Sequence, residues 1–251
     1  MLIILMKSKY DEEHNVSTTF IPDENKSCTS YTDRRGGTVM AWPDQHKAKT
    51  RERIIKAAAA AFRRRGIGQT NIADIMREAG LTHGGFYAHF ESKDALIAEA
   101  LMQALEEVEM ALSRSSKDDA LDEDRLVAIL SAYLSPGHVA HPERGCPLAA
   151  IGPELMRCDE RVKRTLADGI RRRLKEIYDL ISSKTPAADR RQRAVGALAC
   201  MVGGLIVARG MSESEGLEFL KDCRSFLRNA LGTSARRGRR AVNRYSQIPK
   251  R

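Results

Sequence analysis

One segment, residues 70–93 with the sequence TNIADIMREAGLTHGGFYAHFESK, constrains the fold more than any other part of the chain. Its apolar residues recur at i, i+3, i+4 and i+7, a spacing that predicts an amphipathic helix; these residues are Ile72, Ile75, Met76 and Ala79. Asn71 is expected to cap the N-terminus of this helix, and Gly80 is expected to end it. The segment therefore begins with a short helix that stops at a glycine turn.

A second short helix is expected after the turn. Thr82 is its predicted N-cap, and Phe86 and Phe90 form an apolar i, i+4 pair on its inner side. Gly84 and Gly85 each cost about 1 kcal/mol against alanine in a helix, but their bare backbone lets a partner approach closely. Two short helices around a glycine turn predict a helix-turn-helix over about residues 71–90, although a plain all-α core can contain the same turn.

Helical spacing continues on both sides of this segment. One helix is predicted over residues 51–65, and a long one is predicted after the cap Ser92. Further helices are expected at residues 126–134, 159–183, 188–209 and 216–231, with a short one at 147–156 that Pro153 kinks. The predicted fold class is all-α, with an N-terminal three-helix domain that contains the helix-turn-helix and a C-terminal helical domain.

Four regions follow from composition and charge. Residues 1–46 are expected to be a disordered extension, with Met40 as an alternative start of translation; residues 47–93 are the helix-turn-helix domain, 94–232 the second domain and 233–251 a disordered basic tail. The net charge of +9 divides into +7 in residues 235–251, +6 in residues 47–93 and −2 in residues 94–234, with the remaining −2 before residue 47. A basic helix-turn-helix region beside a slightly acidic body is typical of a nucleic-acid-binding head on a body that does not bind DNA.

The segment from residue 49 to residue 105 resembles the DNA-binding domain of the TetR/AcrR family of transcriptional repressors. The resemblance rests on residues that agree in order and spacing, namely Thr70-Asn71, Ile75 to Gly80, Phe86 to Phe90 and Ser92 to Leu96. It implies a cytoplasmic, ligand-responsive repressor that a small-molecule effector releases from a palindromic double-stranded DNA operator. The sequence shows no phosphate loop, nucleophile elbow or paired carboxylates, so neither an enzyme, a cofactor nor a membrane partner is expected.

By this resemblance, residues 82–88 form the recognition helix, whose base-reading positions are His83, Gly84 and Gly85. The residues implied to contact the operator are Lys47, Lys49, Arg51, Thr70, Asn71, Thr82, His83, Gly84, Gly85, Tyr87, His89 and Lys93. Some family members have an arginine near position 73, where this chain has Ala73. Sequence choice is therefore expected to depend partly on DNA shape.

The last two predicted helices, 188–209 and 216–231, are apolar on two sides, which predicts a second partner and hence a homodimer. An effector pocket is expected among the helices between residues 126 and 205, and it should accept an apolar or weakly acidic molecule. Its candidate residues, which core packing would explain equally well, are Tyr133, Met156, Tyr178 and Met201.

Among the five cysteines, Cys146 differs because it lies at a predicted helix N-terminus beside Arg144, and both features favour a reactive thiol. A thiol-based redox or electrophile sensor is therefore the alternative function. His138, His141 and Cys146 match no strong metal-binding spacing, and we interpret their segment as a polar loop with no metal.

Overall fold

The computed structural model describes residues 29–32, 38–41, 44–115 and 120–233. Within these ranges the chain is helical apart from one β-hairpin, which agrees with the predicted all-α class. The elements in chain order are β1 (Thr29–Thr32), β2 (Thr38–Ala41), α1 (Asp44–Arg65), α2 (Ile72–Glu78), the 3-10 helix η1 (His83–Ala88), α3 (Lys93–Ser113), α4 (Asp122–Tyr133), α5 (Pro136–Ala140), the 3-10 turn η2 (Pro142–Arg144), α6 (Pro147–Leu155), α7 (Glu160–Leu180), α8 (Ala187–Arg209) and α9 (Glu213–Leu231).

The hairpin corrects part of the disorder that we predicted for residues 1–46. Strands β1 and β2 are antiparallel, with Thr29 opposite Ala41 and Thr32 opposite Thr38. Threonine, tyrosine and valine in these strands favour extended backbone, but four residues are too few to show a sustained period. Helix α1 also begins inside this region, at Asp44. The disorder predicted for the rest of residues 1–43 and for the tail beyond residue 233 lies outside the described residues.

Helices α1 and α2, η1 and the start of α3 form the head. Their inward side chains pack into one apolar cluster that includes Ile54, Phe62, Ile75, Phe86 and Leu96. This cluster continues into the body through Ile151 and Leu155 of α6 and Val162 and Leu166 of α7. The head is therefore packed directly on the body, with α3 running from one into the other.

The predicted ends of the head helices are confirmed. The Asp74 amide donates to Asn71 Oδ1 at 2.8 Å, and the Ala95 amide donates to Ser92 Oγ at 3.0 Å. Gly66 and Gly80 have φ angles of +88° and +69°, a left-handed backbone that side chains rarely adopt. Both turns of the head therefore depend on glycine.

The body consists of α3 to α9. Helix α7 packs between α3 and α8, and α8 packs along α9. The kink that Pro153 predicts in α6 appears at Ile151, where φ is −136°. A second apolar cluster fills this part of the molecule and includes Leu130, Tyr133, Ile177, Met201 and Leu220.

Helices α8 and α9 bury one side and expose large apolar side chains on the other. The exposed ones are Val195, Ile206 and Val207 on α8 and Leu217 and Phe226 on α9. By length and composition α8 is the one helix in the described ranges that could cross a membrane, and a single such helix is weak evidence, because core helices of soluble proteins pass the same test.

Candidate nucleic-acid interface and effector cavity

Helix η1 presents a polar face that is anchored from behind by one aromatic residue. Phe86 is fully buried, stacks on Phe90 with ring centroids 5.6 Å apart and meets the edge of Tyr87 at 5.1 Å. Tyr87 is 67% exposed, and His83 and Gly84 are exposed beside it. The buried Phe86 ring fixes the orientation of η1, so the outer residues of this helix face solvent, where a partner can contact them.

Gly84 leaves one side of η1 open. The helix is of the 3-10 type, and a Cβ at Gly84 would meet no atom within 4 Å in the described part of the chain. The Gly85 amide donates to the Thr82 carbonyl at 3.2 Å. Thr82 occupies the N-cap, but its side chain makes no capping hydrogen bond to the described residues, which corrects its predicted role as a cap. The residue is exposed instead.

Three predicted operator contacts are engaged inside the head. Thr70 is 1% exposed and donates to the Gly66 carbonyl at 2.7 Å, so it stabilises the turn rather than facing outward. The Lys93 ammonium is half-buried and donates to the Ile67 carbonyl at 2.8 Å.

Arg51 is the third engaged residue. Its guanidinium pairs with both carboxylate oxygens of Glu99, one of them at 2.6 Å, and lies 4.6 Å from the centre of the Phe90 ring. The sequence does not indicate these contacts, because threonine, lysine and arginine can donate hydrogen bonds either to the protein interior or to a partner outside. In this structure Thr70, Lys93 and Arg51 therefore contact the head itself, and the predicted phosphate contacts of Lys93 and Arg51 stay predictions.

Lys47 and Lys49 lie near the start of α1, and the charge of Lys47 acts on His89 beside η1. Lys47 and Lys49 are exposed there, whereas Arg64 and Arg65 at the far end of α1 both pair with Glu78. Asn71 is exposed at the start of α2, although its side-chain oxygen is occupied by the capping bond. The exposed lysines thus place positive charge at one end of α1.

His89 follows η1 and is half-buried at its edge. Its buried Nδ1 has no hydrogen-bond partner among the described residues. Burial, followed by the positive charges of Lys47 and Arg51 and by His46, lowers the pKa of His89 below its usual value. The fold therefore favours the neutral form of His89 in the chain without DNA.

A cavity of about 40 Å³ lies in the body between α3, α4, α6 and α7. Its walls are mostly apolar and include Leu105, Val108, Leu148, Leu166 and Leu198, with Gly169 opposite Leu105. Tyr133 and Cys146 also line it. Tyr133 is 1% exposed, and its hydroxyl has no hydrogen-bond partner in the described ranges.

Tyr133 is the one predicted pocket residue of the four that lines this cavity. Met156 is 60% exposed at the end of α6, and Met201 is fully buried in the second apolar cluster. The Tyr178 hydroxyl accepts a hydrogen bond from Arg190 at 2.6 Å, and the arginine stacks on its ring. Met156, Met201 and Tyr178 therefore do not line this cavity, since helical spacing gives the face of a residue but not its depth.

Four charged side chains stand at the edge of the cavity: Glu109, Arg172, Arg173 and Glu176. Arg173 forms an ion pair with Glu176, while Glu109 is exposed. Burial raises the pKa of Glu176, which the positive charge of Arg173 opposes. Two positive and two negative groups leave this edge without net charge.

The loop beside the cavity is held by His138. A backbone carbonyl can only accept, so His138 Nδ1–H donates to the Tyr133 carbonyl at 2.7 Å, and Nε2 accepts from the Cys146 amide at 2.8 Å. Burial and the nearby Arg209 and Arg63 lower the pKa of His138 to about 4, although the bond to Tyr133 opposes this. Neither ring nitrogen is available to a metal, and the described residues contain no group of three His, Cys, Asp or Glu side chains that could hold one.

Cys146 is 8% exposed at the start of α6. The neighbouring Arg144 points into solvent, with 84% of its side chain exposed, and its Nε lies 4.0 Å from a carboxylate oxygen of Glu143. The arginine that suggested an activated thiol therefore points away from the core in which the thiol is buried.

Two arginines that the sequence analysis did not single out hold this loop in place. Arg63 of α1 is 4% exposed; it donates to the Gly145 carbonyl at 3.0 Å and pairs with Glu107 of α3 at 2.6 Å. Arg209 of α8 donates to the His138 carbonyl at 2.8 Å. The signal for Arg63 was its position four residues after the buried Ala59, on the inner face of α1.

The chain matches one protein family, and the similar proteins reported below are transcriptional regulators. Residues 54–100 match the family described as bacterial regulatory proteins, tetR family. The chain is 44% identical over 75 residues, 30% of its length, to the probable HTH-type transcriptional regulator ArpR of Pseudomonas putida. It is 42% identical over 71 residues, 28% of its length, to the HTH-type transcriptional regulator TtgR of the same species.

These two matches span 35% and 33% of the lengths of those regulators, so the chain covers about a third of each. A TetR transcriptional regulator from Chloroflexus aurantiacus J-10-FL has a similar solved structure, with a TM-score of 0.64 and 25% identity over 75% of this chain and 96% of that one. The head therefore shares sequence with regulators, and the body shares their fold.

Proposed function

Because the chain belongs to the TetR family of bacterial regulatory proteins through residues 54–100, we propose that it is a DNA-binding transcriptional repressor that a small molecule releases from its operator. The observation that carries the proposal is the outward face of η1, where His83, Gly84 and Tyr87 are exposed over the buried Phe86. Lys47 and Lys49 lie on the same head and supply sequence-independent attraction to phosphates.

The body supports the two remaining parts of the proposal. The exposed apolar side chains of α8 and α9 form a surface that a second copy of the chain would cover, which gives a homodimer. Two heads related by a two-fold axis require a palindromic operator with half-sites roughly 34–36 Å apart or a multiple of that distance. The cavity beside Tyr133 is the proposed effector site.

Arg63 offers a route between the cavity and the head. It joins α1 of the head to the Gly145 carbonyl, and the next residue, Cys146, lines the cavity. A ligand that displaces this loop would change the support of α1. Its effect on DNA affinity could be no larger than the difference between its affinities for the displaced and the present loop.

Titration of a fluorescent duplex from the chain's own upstream intergenic region tests the DNA-binding proposal. Tyr87→Ala and His83→Ala should each lower affinity by about 1–3 kcal/mol, or roughly 5- to 150-fold. Lys163→Ala is the matched control, because Lys163 is a cation on the body that pairs with Glu160. Equal affinities for all four proteins would remove η1 from the interface.

Thiol sensing through Cys146 is the competing function. The burial of the thiol and the outward direction of Arg144 favour reversible ligand binding over it. A Cys146→Ser variant should still bind DNA and release it in cell extract that contains the inducing metabolites. The thiol sensor would be favoured if the wild type released DNA only after treatment with an oxidant and the serine variant did not release it.

A further inference from the structure

The cavity beside Tyr133 contains one unmet hydrogen-bonding group in an apolar setting. The Tyr133 hydroxyl is buried beside the Cys146 thiol, a weak hydrogen-bonding group, and has no other partner among the described residues, while the walls are supplied mainly by leucine, isoleucine and valine side chains. An unpaired buried hydroxyl destabilises a fold, so its presence at a cavity points to a ligand that pairs with it. We infer that this cavity binds a neutral, mainly apolar molecule with one hydrogen-bond acceptor, such as a carbonyl oxygen, that accepts from the Tyr133 hydroxyl.

The hydroxyl acts as a donor because it keeps its proton. Burial, together with the neighbouring Cys146, raises the pKa of Tyr133 well above its usual value. A phenol that stays protonated at every physiological pH offers one O–H donor. The ligand group that matches it is an acceptor, and a ketone, aldehyde, ester or amide carbonyl supplies one.

The charges around the cavity favour a neutral ligand over an anion. Glu109 and Glu176 oppose Arg172 and Arg173, and Arg173 is already paired with Glu176. A carboxylate drawn into the apolar interior would lose its hydration, and the acidic groups at the edge would offset the attraction of the arginines. The sequence predicted an apolar or weakly acidic ligand, and the charges around the cavity restrict this class to neutral molecules.

The size of the cavity is set by the contact between Gly169 and Leu105. A Cβ at Gly169 would lie 2.5 Å from Leu105 Cδ1, so α7 and α3 approach each other closely here. The present space of about 40 Å³ holds about three water molecules, and a ligand enters by moving flexible side chains such as Leu105. An alanine at 169 would push Leu105 into the space that the ligand needs.

This inference rests on the proposed function in one respect, since the bound molecule is taken to be the effector. It is tested by calorimetry on the full chain without DNA, with three probes of one skeleton: 1-indanone, the hydrocarbon indane and the anion of 1-indanecarboxylic acid. We expect 1-indanone to bind roughly 5- to 10-fold more tightly than indane, the range that one hydrogen bond supplies, and more tightly than the anion.

Tyr133→Phe should lower the affinity for 1-indanone to that for indane and leave indane binding unchanged. Its unfolding temperature should not fall, because the change removes an unpaired hydroxyl. Tyr178→Phe is the matched control, since that hydroxyl bonds to Arg190 and lies outside the cavity, and it should bind all three probes as the wild type does. Gly169→Ala should lose affinity for both neutral probes by a similar factor.

Three results would overturn the inference: equal affinity of the wild type for 1-indanone and indane, tightest binding of the anion, or no binding of any probe at its solubility limit. Unchanged 1-indanone affinity in Tyr133→Phe would do so as well. DNA binding is measured separately, so a chain that shows the probe contrast but ignores its operator would reject the proposed function and keep this ligand site.

Discussion

At the scale of single residues, His138 is a structural histidine whose two ring nitrogens are both used. It joins the end of α4, through the Tyr133 carbonyl, to the start of α6, through the Cys146 amide. A Cβ at Gly145 would lie 2.5 Å from the His138 ring, so the loop closes tightly around it. Protonation of Nε2 would replace an accepted hydrogen bond with repulsion between two N–H groups.

This arrangement predicts a pH dependence of stability. The folded pKa of His138 is about 4, below its ordinary 6.5, so the unfolded chain binds more protons between these values. Stability is then fully present above pH 6.5 and is lost as the pH falls from 6.5 towards 4, by about 2.5 kcal/mol at pH 4.5. Urea unfolding at pH 7.5, 6, 5 and 4.5 measures this loss.

His138→Gln, which keeps hydrogen-bonding groups but does not titrate, should flatten that dependence. His141→Gln serves as the control, because 60% of the His141 side chain is exposed. If the His138 variant loses as much stability with acid as the wild type does, the histidine is not held neutral by the fold.

The residue types predicted which side chains of the head could contact DNA, but the direction of each side chain depends on the fold. His83 and Tyr87 are exposed as the sequence analysis expected, because the buried partner Phe86 is itself visible in the pattern. Thr70, Lys93 and Arg51 turn inward to Gly66, Ile67 and Glu99, and no spacing rule distinguishes these directions. Tertiary contacts of this kind need the coordinates.

At the scale of elements, the two short helices of the head begin differently. Asn71 caps α2 through its side chain, whereas Thr82 stands at the start of η1 without a capping bond to any described residue. Helix α2 is therefore stabilised locally, and η1 relies on the burial of Phe86. The sequence predicted both caps alike, since asparagine and threonine are both common at this position.

Asn71→Ala should destabilise the protein by about 1 kcal/mol, because it leaves the Asp74 amide unpaired. Thr82→Ala is the matched control and should change stability by less than about 0.5 kcal/mol. Chemical unfolding of both variants at pH 7 decides the matter. Equal losses in the two variants would mean that the cap at Asn71 contributes nothing specific.

Helices α7 and α8 were predictable to within three residues at each end, whereas α1 begins seven residues before its predicted start and the loop between α4 and α6 was not predicted. Helix α7 begins after its cap Asp159 as the periodicity and capping rules suggest. The loop is positioned instead by Arg63, Arg209 and Arg224, which donate to backbone carbonyls from three distant helices. Every residue has a backbone carbonyl, so the residue types of the loop do not indicate that these hydrogen bonds form.

At the scale of the whole molecule, α8 and α9 expose an apolar surface of the kind that is typical of a protein–protein interface. A Cβ at Gly196 or Gly203 would meet no described atom within 4 Å, so a second helix could approach α8 closely there. The same helices bury Met201, Leu205 and Leu220 on their other side. We propose that this surface carries the homodimer, as the two-sided apolar pattern of the sequence predicted.

Phe226→Glu places one charge from each copy in that surface and should convert the dimer into a monomer, as measured by light scattering. Operator affinity should fall by more than about tenfold, since the two heads are no longer linked. Met110→Glu is the control, because Met110 of α3 is apolar and 48% exposed but lies outside α8 and α9. A Phe226 variant that remains dimeric would place the interface elsewhere.

The most direct test of the central claim is titration of the wild type and of a chain lacking residues 235–251 with the upstream duplex and a scrambled duplex, at two salt concentrations. We expect saturable binding of two chains per duplex that prefers the native sequence at both salts and survives removal of the +7 tail. Binding that ignores sequence, weakens steeply with salt and disappears with the tail would contradict it, because the tail and not the helix-turn-helix would then hold the DNA.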